Sequence, residues 1–216
     1  SVTCGASSSR TATIAAALHY LHQHGAVHRD VKPENIRIGP TGVPVLTGFG
    51  LSAAFAGDTS ATRTLSIGTP QYMSPQQARG EHLTPLDDLW SFGATLHEVL
   101  AGRPPYAGGS PQEVLSQTVS SEAVDLTVLQ AHVPEYVCAI AGKCLRKDPA
   151  ERYASAEEVQ RALEAAIEHL EAGDSVTIAL PPPRPGHTVL LHVEHQETAL
   201  PGAYREYDIE APISEG

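Results

Sequence analysis

The sequence predicts a mainly α fold with one small β-hairpin, and three observations carry that expectation. Ile14, Leu18 and Leu21 share one stripe of a helical stretch running from Thr11 to His24. The stretch from Thr84 to Leu100 carries apolar residues all round, as a buried helix does. Ser74-Pro75-Gln76-Gln77, Ser110-Pro111-Gln112-Glu113 and Ser155-Ala156-Glu157-Glu158 spell three helix openings of the capping-box kind, two of them with proline at the first helical position. Before residue 173, only Ile36–Ile38 and Val43–Leu46 read as strands, short and joined by the turn Gly39-Pro40-Thr41-Gly42.

Taken in order, residues 1–10 are small, polar and without period, and are expected to be a disordered start. The first helix stops at Gly25. His19, His22 and His24 crowd its end; with no carboxylate or cysteine beside them, a solvated or helix-end role is expected rather than a metal site. After the hairpin, residues 51–73 are rich in Thr and Ser. The apolar helix beginning near Thr84 ends at Gly102-Arg103-Pro104-Pro105-Tyr106. Helices to about Val119 and from about Pro134 to Arg146 follow. The last opens at Ser155, carries Val159, Ala162, Leu163, Ala166, Ile167 and Leu170, and stops at Gly173. Residues 173–216 change character. They hold Pro181-Pro182-Pro183-Arg184-Pro185 and no lysine, and read as an acidic, extended linker or the start of a further domain, with Thr188–Val193 as a strand.

The chain has 216 residues and a net charge of −11, unevenly spread. Residues 1–80 hold six Lys/Arg against three Asp/Glu, and residues 81–216 hold eight against 22. The mildly basic part suits phosphate, and the acidic remainder argues against a nucleic-acid partner. No apolar run is long enough to span a bilayer. A cytoplasmic location is expected, and the first residues lack the pattern of a signal peptide. Cys4, Cys138 and Cys144 have no metal spacing and read as core thiols rather than a disulfide framework. The only Met is Met73, so the chain is expected to be a fragment or to lack its start.

The chemistry centres on His28-Arg29-Asp30-Val31-Lys32-Pro33-Glu34-Asn35. A carboxylate, an ammonium and a carboxamide lie within six residues, stiffened by one proline. Such a loop can take a proton, neutralise a phosphate and help hold a divalent cation, the tasks of phosphoryl transfer.

The loop resembles the catalytic loop of protein kinases, His-Arg-Asp followed by Asn after four residues. The resemblance extends in order from about residue 11 to 172, through Phe49-Gly50, the Gly68–Gln77 loop, the Asp88-Leu89-Trp90 helix and Asp148-Pro149-Ala150-Glu151-Arg152. It implies the large, C-terminal lobe of a bacterial eukaryotic-like Ser/Thr protein kinase. Asp30 would be the base for the substrate hydroxyl, Lys32 would steady the γ-phosphate, Asn35 would ligate Mg²⁺, and Thr69 would bond the Asp30/Lys32 pair. Lys32, Glu34 and Asn35 are the implied cofactor-binding residues. Asp88 would bond the backbone of the loop, or merely cap its helix. Arg29 would pair with a phosphate on Thr59, Ser60, Thr62, Thr64 or Ser66, if residues 51–73 are more than an unstructured loop.

The sequence departs from the family pattern in three places. Gly48 stands where the metal-binding Asp of Asp-Phe-Gly is expected, removing one ligand. Gln76 replaces the Glu that pairs with Arg152, keeping an acceptor but not the charge. Nothing corresponds to the small lobe: there is no Gly-rich loop, no Val-Ala-x-Lys strand and no helix bearing its Glu partner. ATP and Mg²⁺ are the implied cofactors, and a protein substrate or docking partner the implied partner. Two readings follow. One is a Ser/Thr kinase domain inactive as this chain. The other is a pseudokinase-type binding module, using residues 68–77 and 102–120, or a degenerate remnant. Uncovered apolar surface would favour aggregation or a partner.

Overall fold

The computed structural model describes residues 4–48, 69–120, 124–130 and 133–171. Phe49, Gly50, the Thr/Ser-rich segment, Gly68 and the proline-rich tail fall outside them. Seven α-helices and one hairpin make up the described part. They are α1 (Cys4–Gln23), β1 (Ile36–Ile38), β2 (Pro44–Leu46), α2 (Pro75–Ala78), α3 (Pro85–Ala101), α4 (Pro111–Ser120), α5 (Thr127–Gln130), α6 (Glu135–Cys144) and α7 (Ala156–Glu171). Short 3₁₀ turns at Pro33–Asn35, Pro70–Tyr72 and Pro149–Glu151 link them. The expected mainly helical architecture with a small hairpin is what is found. Among the described residues, no helix is long and apolar enough to cross a membrane.

α1 corrects one expectation: it begins at Cys4, so residues 4–10, expected to be disordered, continue the helix. Helical propensity in small residues leaves no apolar period, so the start was invisible to pattern. β1 and β2 pair antiparallel, with Ile36 opposite Leu46 and Ile38 opposite Pro44. Strand two starts at Pro44 rather than Val43, because the Val43 carbonyl accepts the Gly39 N–H at 2.8 Å to close the turn.

α3 is the axis. Leu89, Trp90, Phe92, Ala94, Leu96 and Leu100 are all buried, on every side of the helix. It packs against α1, α5, α6 and the Pro70–Tyr72 turn. Gly93 lets α6 approach: a Cβ there would lie 2.6 Å from Cys144 Cβ. α1 and α7 pack along each other, joining Ile14 and Leu18 to Val159 and Leu163 in the main core. A smaller cluster gathers Tyr72, Trp90, Ala94, Tyr106, Val114 and Leu145 beneath α4.

The capping boxes form to different degrees. Ser74 Oγ accepts the Gln77 N–H at 3.0 Å, and Gln77 Oε1 accepts the Ser74 N–H at 3.0 Å. At Ser110 and Ser155 the hydroxyl caps the helix, but Glu113 and Glu158 reach back one residue further, to the Gly109 and Ala154 N–H.

Cys138 and Cys144 are buried free thiols, as expected. Burial pushes the Cys144 thiol up from 9.0 to about 12, against the opposing charges of Arg152 and Lys143. The folded-state value is the raised one, so the contribution to stability is whole below 9.0 and is lost as pH climbs toward 12. Urea unfolding at about pH 8.5 and about pH 10.5 is therefore expected to show a drop in stability about 2 kcal/mol larger in the native chain than in Cys144→Ala. Equal drops would mean that the thiol ionises in the folded chain as readily as in the unfolded one.

Candidate active site

Two adjacent carboxylates at the start of α3 hold two loops. Asp88, fully buried, accepts the His28 N–H (2.8 Å, Oδ2), the Arg29 N–H (2.8 Å, Oδ1) and the ring of His22 from α1 (2.8 Å, Oδ2). Asp87 Oδ1 accepts the Ser74 hydroxyl at 2.6 Å, and its Oδ2 accepts the Thr84 N–H at 2.7 Å. The helix N-terminus favours negative charge at both positions. Asp88 therefore serves the catalytic-type loop, and the helix-capping contact to Thr84 belongs to its neighbour.

Inside the loop, His28 is buried and its Nε2–H donates to the Thr47 carbonyl at 3.0 Å, while Nδ1 accepts the Asp30 N–H at 3.3 Å. Arg29 takes φ 70°, alone among the described non-glycine residues. That strained bend persists because both sides are tied. Asp88 takes the Arg29 N–H, and the Gln77 side chain donates to the Arg29 carbonyl at 3.1 Å. The bend turns the Asp30 carboxylate toward Lys32.

Asp30, Lys32, Asn35 and Thr69 do come together. Lys32 Nζ lies 2.8 Å from Asp30 Oδ2 and donates to Thr69 Oγ1 at 2.9 Å. Asn35 Nδ2 donates to the Asp30 carbonyl at 2.7 Å and to Asp30 Oδ2 at 2.8 Å. The Asn35 carbonyl accepts from the Thr47 N–H and hydroxyl, at 2.8 and 3.1 Å, fixing the loop to the strand that leads to Gly48. Glu34 is exposed on the same turn. The result is a carboxylate with one ammonium and one carboxamide donor, an arrangement chemically able to accept a proton.

The donors do not suit a kinase-type magnesium ion. Mg²⁺ takes near-octahedral oxygen, with one or two carboxylates from the protein. Gly48 offers none, and the Asn35 amide is turned onto Asp30. Among the described residues, no group of three or more His, Cys, Asp or Glu could hold a metal. The glycine and the asparagine belong together: a Cβ at residue 48 would lie 2.7 Å from Asn35 Cγ and Nδ2, and Gly48 has φ 92°. Asn35 fills the space that a side chain at 48 would need.

In the Thr69–Gln77 loop, Gln76 is in contact with Arg152. Oε1 accepts from Arg152 Nη2 at 2.6 Å, and Nε2 donates to the Lys147 carbonyl at 3.1 Å. Burial lowers the buried Arg152 guanidinium to about 10, and Asp87, 4.0 Å away, opposes that.

His22, Gln77 and Asp87 were not identified as site residues from sequence. His22 meets Asp88 across 66 residues and Gln77 meets Arg29 across 48, so no local spacing announces either contact. The faint signal was Gln, rather than Glu, at the third position of the helix opening: it brings a donor as well as an acceptor.

Substituting Gly48→Ala is expected to cost about 1–3 kcal/mol, from backbone strain and the clash. In an Asn35→Ala background the cost should shrink by about 1 kcal/mol in denaturant unfolding. Identical costs would mean that Asn35 does not occupy that space.

Comparison with known proteins agrees with this geometry. Residues 3–163 match the protein kinase domain family. The chain is 40% identical over 145 residues to serine/threonine-protein kinase PknB of Mycobacterium leprae, covering 67% of this chain and 23% of that protein. It is 43% identical over 147 residues to PknB of Mycolicibacterium smegmatis, covering 67% and 23%. It is 40% identical over 166 residues to the probable serine/threonine-protein kinase SCO3848 of Streptomyces coelicolor, covering 76% and 24%. The matched stretch spans about a quarter of the length of these relatives. The family uses ATP and Mg²⁺ and acts on protein substrates. On the match and the loop geometry together, the chain belongs to the protein kinase family, among the bacterial eukaryotic-like Ser/Thr kinases.

Proposed function

We propose that this chain carries the hydroxyl-accepting half of a Ser/Thr kinase site and, by itself, transfers no phosphate. The observation that supports this is Lys32 bridging Asp30 and Thr69 at 2.8 and 2.9 Å. Asp30 accepts the proton of a substrate Ser or Thr hydroxyl. Lys32 neutralises charge on the incoming phosphoryl group, and Thr69 holds Lys32 in place. Asn35 steadies the Asp30 carboxylate, and His22, Asp88 and Gln77 keep the loop backbone in the one conformation that aims it. ATP, when bound, supplies the phosphoryl group. No step here is assigned to the metal, because Gly48 brings no carboxylate and Asn35 is engaged with Asp30. In this reading the Arg29 side chain, which has no ion pair among the described residues, receives a phosphate from the Thr/Ser-rich segment.

A second reading, a protein-docking module, is favoured by one contrast. The Thr69–Gln77 loop is held through Ser74–Gln77, Ser74–Asp87 and Gln76–Arg152, while Gly48 brings no metal donor. A partner would meet this loop and α4, which pack together.

The purified chain is expected to show no thermal shift dependent on Mg-ATP and no phosphotransfer to a generic Ser/Thr substrate. Phosphorylation that disappears in Asp30→Ala would overturn the claim of inactivity while supporting the role given to Asp30.

A further inference from the structure

The segments that enter and leave α4 both close on one imidazole. His97 of α3 is 1% exposed, and its Nδ1–H donates to the Arg103 carbonyl at 3.0 Å. Arg103 lies in the turn that leads into α4. Asp125 lies in the segment that follows α4 and caps α5, and it too faces the ring. The Asp125 backbone comes near, yet the buried Nε2 has no hydrogen-bond partner among the described residues. Arg103 and Asp125 are themselves exposed, so the ring lies beneath two surface loops.

This setting holds the ring neutral. A proton on Nε2 would leave a buried cationic N–H without an acceptor, facing the Arg103 guanidinium. The carboxylate that could offset the charge is engaged elsewhere. Asp125 Oδ1 accepts the Thr127 hydroxyl at 2.7 Å and the Thr127 N–H at 2.9 Å, and those bonds, with Arg103 after them, hold its carboxyl below the usual range. Burial lowers His97 from the ordinary 6.5; the Arg103 charge adds to that, while the Arg103 carbonyl and Asp125 oppose it. Arg103 and Asp125 are the charged groups that face the ring among the described residues.

We propose that His97 is an acid-sensitive latch that holds both ends of α4 to α3, and that its protonation opens the Arg103 turn and the Asp125 segment together. The charged ring gains hydration by leaving its site, and the two loops above it move aside. α4 lies between those loops in the chain and packs on the Pro70–Tyr72 turn and on α2, so the opening reaches the Thr69–Gln77 loop. The closed form carries the lowered value, so it is favoured in full above 6.5 and loses ground as pH falls below it. This inference depends on the His97 site, not on the phosphotransfer reading, and stands or falls apart from it.

The test is hydrogen exchange of the full chain at about pH 7.5 and about pH 5.5, corrected for the intrinsic pH dependence of exchange. An open form with an ordinary histidine gains about tenfold one unit below its pKa, so protection of the Val114 and Leu129 amides is expected to fall by about that factor. The Phe92 amide at the centre of α3 should keep its protection. His97→Gln keeps a donor for the Arg103 carbonyl but takes no proton, and should show no fall. An equal fall in that variant, no fall in the native chain, or an equal fall at Phe92 would overturn the latch. If the variant does not fold, NMR titration of the His97 ring in the native chain decides. A midpoint below 6.5 that coincides with the loss of protection supports the latch, and any other midpoint overturns it.

Discussion

One buried carboxylate governs the site. Asp88 sits at the start of the most buried helix and accepts from two consecutive backbone N–H groups and an imidazole. Hydrogen bonds to a charged acceptor contribute about 1.5–3 kcal/mol each, and leaving such donors unpaired in the interior costs about 1–3 kcal/mol each. That is enough to hold Arg29 at φ 70°, a conformation of order 1–3 kcal/mol above the common ones. The strain sits one residue before Asp30, and it is what points that side chain at Lys32. α3 is therefore less a structural rod than the reference frame from which the loop is aimed.

The neighbouring Asp87 extends the same logic to the Thr69–Gln77 loop, through Ser74. The loop that would present a substrate hydroxyl and the loop that would take its proton hang from consecutive residues. Gln77 closes the circuit by joining the helix opening at Ser74 to the Arg29 carbonyl. The Gln76–Arg152 contact shows how the loss of a charge is tolerated. Arg152 keeps carbonyl acceptors at Arg146, Leu86 and Lys147, so its donors stay satisfied, while Asp87 at 4.0 Å supplies the nearest negative charge. Arg152 and Lys147 both lie over the Trp90 ring, at 5.2 and 5.3 Å from its centre.

Much of this was legible in the sequence, for reasons that differ by residue. Asp30, Lys32 and Asn35 lie within six residues, so a single turn had to bring them together, and the motif named their chemistry. α3 announced itself by apolar residues on all sides, and α7 by its stripe. The start of α1 was missed because its first residues are too small to leave a period. α5 has four residues, fewer than a period needs. The long-range partners were harder still. Gly48 read as a lost metal ligand, which it is by composition. Its second effect, room for the Asn35 carboxamide to fold onto Asp30, exists only once two loops are packed together.

The account rests on Asp88 holding the loop backbone, and hydrogen exchange at single amides measures that most directly. The His28 and Arg29 N–H groups should exchange as slowly as the core amides of α3. In Asp88→Asn their protection should fall by at least about tenfold while the centre of α3 stays protected, as loss of one charged acceptor requires. If both amides keep their protection in the variant, the loop is held by something else, and the aim of Asp30 needs a different cause.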